Sequence, residues 1–302
     1  MHQQNHILDC LVIGAGPAGL TAALYLARFR RHFAIVDGGG SRAARIPLSH
    51  NLPLFERGIS GEQMLRQMRQ HLSHYDVEIT GASVASLRKL EGNFIATLEN
   101  GEVWSRHVIL CTGAADVEPD LPDLPDAVQR GLIRYCPVCD GYEASFKTLG
   151  VIGFSESAAR EALFIARTYS RNVILLTLGR DVELPASLEN ALLTFNIRVI
   201  TNPLQSVVFQ DASGVRVRVE DGEELHFDAL YSALGLIARS DIAKKLGASH
   251  AEDGALEVDV HHETTIAGLY AAGGVVKGLD QVVIAMGHAA VAATAVHNKC
   301  RN

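Results

Sequence analysis

From Leu8 the chain runs apolar through Leu11–Ile13, breaks into the small-residue turn Gly14-Ala-Gly16-Pro-Ala-Gly19, and continues with apolar positions at helical spacing to Arg28. A second apolar run, Phe33–Val36, stops at Asp37. Unbroken apolar runs suit strands covered on both faces, and an apolar period near 3.6 residues marks the helix between them. The order strand, glycine turn, helix, strand is a βαβ unit. It returns at Leu149, with the run into Ile152, the turn Gly153-Phe-Ser155-Glu-Ser-Ala158, a helix through Arg167 and a strand at Val173–Leu176. At one constant offset Gly14, Gly19, Ala27 and Val36 map onto Gly153, Ala158, Ala166 and Leu175, so the repeat holds at the turn, the helix and the second strand.

Each unit closes on a late strand. Val108–Leu110 runs into Cys111-Thr-Gly113, and Ala229–Ala233 runs into Leu234-Gly235. A final strand and turn, Gly268-Leu-Tyr-Ala-Ala-Gly273-Gly274-Val275, precedes the apolar stretch Val282–Val296, which is short for a membrane span and reads as a buried helix. The tail after about Ser240 is too short for a domain of its own, so it is expected to return to the first unit. The predicted class is α/β, with two Rossmann-like dinucleotide-binding domains in one chain. Residues 1–114 and 241–302 form one discontinuous domain, and 115–240 form an inserted one with crossings near 114–118 and 236–241.

Composition narrows the function. The 302 residues are 48% hydrophobic and 20% charged, as in a folded globular protein, and the net charge of −7 supplies no basic field for nucleic acid or anionic lipid. The segment Met1–Asp9 lacks the pattern of a secretory leader, which suggests a cytoplasmic protein with no membrane partner. Five cysteines with one close pair do not make a disulfide framework. Cys10 and Cys111 read as core.

Chemistry enters at two places. In the first turn, Gly14 permits the tight bend, Gly16 leaves room for a pyrophosphate against the backbone, and Gly19 lets helix and strand approach. The helix N-terminus, with its unpaired N–H groups and positive dipole end, faces that phosphate. Asp37 follows Gly14 at roughly the 20-residue distance expected of the acid that binds a ribose hydroxyl. The motif alone does not separate FAD from NAD. The second place is Tyr135-Cys136-Pro-Val-Cys139-Asp140-Gly141-Tyr142. A zinc site needs about four ligands, and no second Cys-x-x-Cys supplies them. A structural disulfide across so small a loop adds little stability. A redox dithiol, reactive as its thiolate, fits best.

With these residues on hand, the chain resembles the low-molecular-weight thioredoxin reductase family almost end to end. The glycine motif, Asn51-Leu-Pro53 followed by Gly58-Ile-Ser-Gly61, Thr112-Gly113, the cysteine pair and Gly268–Val275 fall in family order. The resemblance implies an FAD site lined by Gly14, Gly16, Pro17, Ala18, Gly19, Asp37, Asn51, Thr112, Gly113, Gly273, Gly274, Val275 and Gln281, with Val84 touching the adenine. It implies that Cys139 faces the flavin, that Cys136 attacks the outside disulfide and that Asp140 carries the proton. The partner would be a thioredoxin-like protein or a small dithiol or disulfide, and the assembly a homodimer. Asp140 also has a plain reading as a turn residue before glycine.

The second unit departs from the family. Ser155 takes the middle glycine position, Leu176 stands where the first unit has Asp37, and Thr177-Leu-Gly179 with Arg180 replaces the basic cluster that grips the 2′-phosphate of NADPH. These changes speak against NADPH. They leave a flavoenzyme fed by another donor, or one run in reverse as a dithiol oxidase. Two alternatives stand beside it: an ordinary NADPH-dependent reductase in which Arg180 and Arg171 rebuild the phosphate site, and a non-enzymatic flavoprotein redox sensor. Gly274 also replaces a family acid, and His288 on the last helix reads as hydrogen-bonded core.

Overall fold

The structure is a computed structural model that describes residues 7–210 and 214–301. Expectations for the residues before Ile7 and for the final residue lie outside that range. The chain divides into two compact units: one takes the chain up to Ile46, Ser60–Ala115 and the chain from Leu236 on, and the other takes Pro47–Ile59 and Asp116–Gly235. The expected α/β class with parallel sheets is what forms.

In the first unit a seven-stranded sheet runs in the order Ile79–Gly81, Phe33–Asp37, Leu8–Ile13, Gly101–Leu110, Asn93–Leu98, Ser86–Leu90, with Leu269–Ala271 added beside Gly101–Leu110. Leu8–Ile13 lies parallel to both neighbours, Cys10 opposite Phe33 on one side and His107 on the other. Its residues Cys10–Ile13 are buried, as the unbroken apolar run requires. Asn93–Leu98 and Ser86–Leu90 turn back antiparallel at the sheet edge.

The second unit repeats this centre. Leu149–Ile152, buried throughout, lies parallel between Val173–Leu176 and Ala229–Ser232 in a five-stranded sheet, and a separate antiparallel sheet joins Leu204–Gln210, Gly214–Val219 and Glu224–Phe227. Glu156–Thr168 buries its alanine face, Ala158, Ala159, Ala162 and Ala166, in this unit's core.

The last helix, Val282–Lys299, is not buried all round, contrary to the sequence reading. Ala289, Ala292, Ala293 and Val296 face inward, while Val283 and Val291 are exposed. The mainly alanine inward face allows close packing within the unit. No helix among the described residues is long and apolar enough to cross a membrane.

Candidate functional site

The first glycine turn is built by exclusion. Gly14 has φ +101°, a left-handed backbone that a side chain strains, and a Cβ there would collide with the Cys111 carbonyl. A Cβ on Gly19 would run into the Gly14 carbonyl. The helix Pro17–Arg28 opens with Gly16 as its N-cap, so no side chain caps it, and its first turn holds no acid. Its N-terminal N–H groups and dipole are therefore left for an outside anion. Asp37 sits at the end of its strand, and its Oδ1 accepts the Ala15 N–H at 3.1 Å, fixing the turn from below. The cradle fits the diphosphate of a dinucleotide.

The other expected cofactor residues of this unit gather on the ends of the same strands. Thr112 and Gly113 follow Gly101–Leu110, where the Thr112 hydroxyl donates to the Arg239 carbonyl at 2.6 Å and Gly113 takes φ +68°. Gly273, at φ +81°, approaches Ala18 so closely that a Cβ would press on its methyl. Val275 is fully buried, and Gln281 is the N-cap of Val282–Lys299. Val84, half-buried, packs on the unit's core after Ile79–Gly81. At Gly274 a Cβ would meet the Asp280 carboxylate, so an acid does stand at this turn, supplied from Asp280. Sequence reasoning missed Asp280 because it looked for the acid at Gly274 itself.

The second turn keeps the shape and loses the opening. At Gly153 a Cβ would strike Ala158, so the close helix packing survives. Ser155 is the N-cap, and its Oγ accepts the Ala158 N–H at 3.2 Å. Glu156 fills the first turn and accepts from Arg160 Nε at 2.9 Å. Leu176 and Thr177 are fully buried, and the Thr177 hydroxyl donates to the Arg180 carbonyl at 2.6 Å. Leu178 and Gly179 both take positive φ, and the turn they make returns Arg180 over the ring of Phe154, 4.2 Å from its centroid. Arg171 lies before Val173–Leu176 and Arg180 after it, at opposite ends of one strand. At about 3.3 Å per residue that separation keeps them from gripping one phosphate. Arg171 instead lies over Phe195.

The same unit carries the cysteines, joined as a disulfide. Pro137–Asp140 forms a single helical turn with Cys136 at its N-cap, and the Cys139 N–H bonds to the Cys136 carbonyl at 2.9 Å. Asn51, expected beside a flavin, lies here against the dithiol turn: its Nδ2 donates to the Val138 carbonyl at 3.3 Å, and its Oδ1 accepts from Ser49. Gly141 is required because a Cβ would strike the Tyr169 ring. Val138, Tyr142 and Phe146 are exposed.

Asp140 Oδ1 accepts from the Tyr231 hydroxyl at 2.8 Å, and the Arg134 guanidinium stands 3.6 Å from the same oxygen. Burial pushes the Asp140 carboxyl up from its ordinary range, opposed by Arg134 and by the Tyr231 hydrogen bond. Tyr231 and Arg134 escaped the sequence reading; the signal was a phenol in an otherwise buried strand.

In the first unit, His288 is not hydrogen-bonded at Nδ1. Its ring packs on His262 with centroids 4.2 Å apart, and burial first, His262 second, lowers its pKa to about 4.

Over residues 8–289 the sequence matches the family described as pyridine nucleotide-disulphide oxidoreductase. It is 29% identical to the thioredoxin reductase of Bacillus subtilis (strain 168), over 98% of this chain and 95% of that protein. Among solved structures, thioredoxin reductase from Streptococcus pyogenes MGAS5005 is similar at TM-score 0.90 and 25% identity, covering 99% of each chain. HlmI is similar at TM-score 0.88 and 30% identity, covering 98% of this chain and 93% of that one.

Proposed function

The chain belongs to the pyridine nucleotide-disulphide oxidoreductase family, and on that premise we propose that it is an FAD-dependent dithiol/disulfide oxidoreductase that works without NADPH. Residues 1–114 and 241–302 hold FAD, through the Gly14–Gly19 turn, Asp37, Val84, Thr112, Gly113, Gly273–Val275 and Gln281. Residues 115–240 carry the working dithiol, Cys136 and Cys139, with Asp140 as proton carrier, and Asn51, from the segment Pro47–Ile59 of the same unit, steadies the turn through Val138. When bound, FAD supplies the two-electron exchange partner of that dithiol. The outside substrate is a thioredoxin-like protein or a small dithiol or disulfide, for which exposed Val138, Tyr142 and Phe146 offer apolar surface. A homodimer is part of the reading, and the exposed Val283 and Val291 support it.

One observation carries the NADPH statement: the helix that should receive the second dinucleotide is capped by its own Ser155 and begins with Glu156. An anion there would displace a hydrogen bond and meet a carboxylate. With no acid at Leu176 and Arg180 drawn over Phe154, little remains to hold a phosphorylated nucleotide. The protein then takes electrons from a dithiol or from a donor other than NADPH.

Anaerobic titration of the purified protein, following flavin absorbance, tests this. A small dithiol bleaches the flavin in wild type and not in Cys139→Ser, while NADPH and NADH leave it oxidised. Rapid bleaching by micromolar NADPH overturns the NADPH-free reading. Dithiol bleaching that survives Cys139→Ser removes the cysteine pair from the path and favours a non-enzymatic flavoprotein.

A further inference from the structure

Tyr231 hydrogen-bonds the proton carrier directly. It stands in the buried strand Ala229–Ser232 with its side chain fully out of water, and its hydroxyl donates to Asp140 Oδ1 at 2.8 Å. Arg134, from the neighbouring strand, donates to the Asp140 backbone carbonyl at 2.9 Å and faces the same Oδ1 at 3.6 Å. The two partners thus meet one carboxyl oxygen. A buried phenol in an apolar strand needs an acceptor, and a buried carboxyl needs donors. Satisfying both at Oδ1 locks the carboxyl rotamer and leaves Oδ2 for a proton.

We propose that Tyr231 is the positioning residue of the dithiol centre: by holding Asp140 through Oδ1 it fixes the carboxyl that takes the thiol proton and sets the pH at which Asp140 becomes a base. This rests on the reading of Cys136, Cys139 and Asp140 as the working centre. From the disulfide form, the first thiol of a dithiol gives its proton to Asp140. Its sulfur then bonds to Cys136, the Cys136–Cys139 bond breaks, and Cys139 leaves as a thiolate. The second substrate sulfur displaces Cys136, so the substrate becomes a disulfide and its two protons and two electrons pass to the protein pair.

The charges that face Asp140 come from each neighbouring element. Arg134 and the Tyr231 hydroxyl favour the carboxylate, and Glu143 and burial oppose it. Tyr169, held against Gly141, has its own pKa raised, first by burial and then by Asp140 and Glu143. Burial also raises the Tyr231 phenol, so it stays a donor throughout. The wild-type rate advantage over Asp140→Asn therefore exists in a window that opens at the pKa of Asp140 and closes where the substrate thiol ionises unaided. Removing the Tyr231 hydroxyl moves the opening edge upward.

The test is the rate at which dithiothreitol opens Cys136–Cys139 in the intact protein, read by rapid quench, alkylation and mass across pH 5 to 9. Asp140→Asn is slower than wild type by about 100-fold inside the window and equal to it above. Tyr231→Phe shifts the opening edge up by about one pH unit, the effect expected of a lost hydrogen bond to a charged group, and Asp140→Asn with Tyr231→Phe is no slower than Asp140→Asn alone. If Tyr231→Phe misfolds, 3-fluorotyrosine at position 231, a stronger donor, moves the edge down instead. An unchanged edge in Tyr231→Phe, or in the fluorinated protein, with the Asp140→Asn loss intact, overturns the role of Tyr231. No loss in Asp140→Asn overturns the proton-carrier reading beneath it.

Discussion

The two glycine turns share a backbone plan and differ in who satisfies the helix that follows. In the first, Gly16 and Pro17 leave the N-terminus of Pro17–Arg28 without a cap or an acid. In the second, the matching positions hold Ser155 and Glu156, and the helix Glu156–Thr168 is capped from within. The strand beyond ends in Asp37 in one unit and in buried Leu176 in the other. The βαβ architecture is common to both turns, and the difference lies in the side chains at the start of the helix. Packing glycines such as Gly19 and Gly153 serve the fold of both turns, while Gly16 and Asp37 mark the positions where the two turns differ.

Moving the second turn's chemistry into the first is the strongest way to break this contrast. Gly16→Ser with Pro17→Glu is expected to weaken FAD binding by at least ~100-fold, through a competing cap and a carboxylate beside the diphosphate. Flavin content after purification and the FAD dissociation constant measure it; a variant as yellow as wild type refutes the open-terminus argument. The steric side is permissive, since a Cβ at Gly16 meets only the Ser41 hydroxyl, 3.2 Å away.

A smaller effect sits on the second helix itself. Glu161 occupies the place of fully buried Ala22, its Oε1 has no partner, and burial raises its pKa from 4.5 to about 7. The native carboxyl stays protonated where the unfolded one has ionised, so stability is fullest below pH 4.5 and falls as pH rises toward 7. Glu161→Gln should flatten that slope and stabilise the protein by about 1–2 kcal/mol at pH 8, with little change at pH 4. Urea midpoints at the two pH values decide it; equal gains at both exclude ionisation as the cause.

The smallest expected change comes from the reverse swap. Phe154→Ala with Ser155→Gly removes the cap and the Arg180 platform but restores neither an acid at Leu176 nor a basic cluster. NADPH affinity should rise by no more than about tenfold, read by calorimetry. A larger gain means that the turn alone closes the site.

The repeat, the parallel centres of both sheets and the dithiol turn were legible because they rest on local signals: unbroken apolar runs, glycines where a Cβ collides, and close spacing. What stayed hidden depends on distant chain segments meeting. Tyr231 reaches Asp140, and Arg180 returns over Phe154 through a turn of positive φ at Leu178 that sequence does not announce. His288 was misread for the same reason. Its neighbour is His262, in a turn whose position no local pattern gives. The last helix misled in another way, since a hydropathy scan does not separate buried Val296 from exposed Val283 and Val291.

The three remaining cysteines have a quieter consequence. Cys10 and Cys111 are buried in the first unit's sheet with thiols pushed far up by burial, and half-buried Cys300 is raised as well. Near neutral pH the buried Cys10 and Cys111 thiols hold their protons, are screened from reagents and are poor nucleophiles. Thiol labelling before and after reduction is therefore expected to differ at Cys136 and Cys139, the pair joined as a disulfide, and to leave the two buried cysteines unmarked.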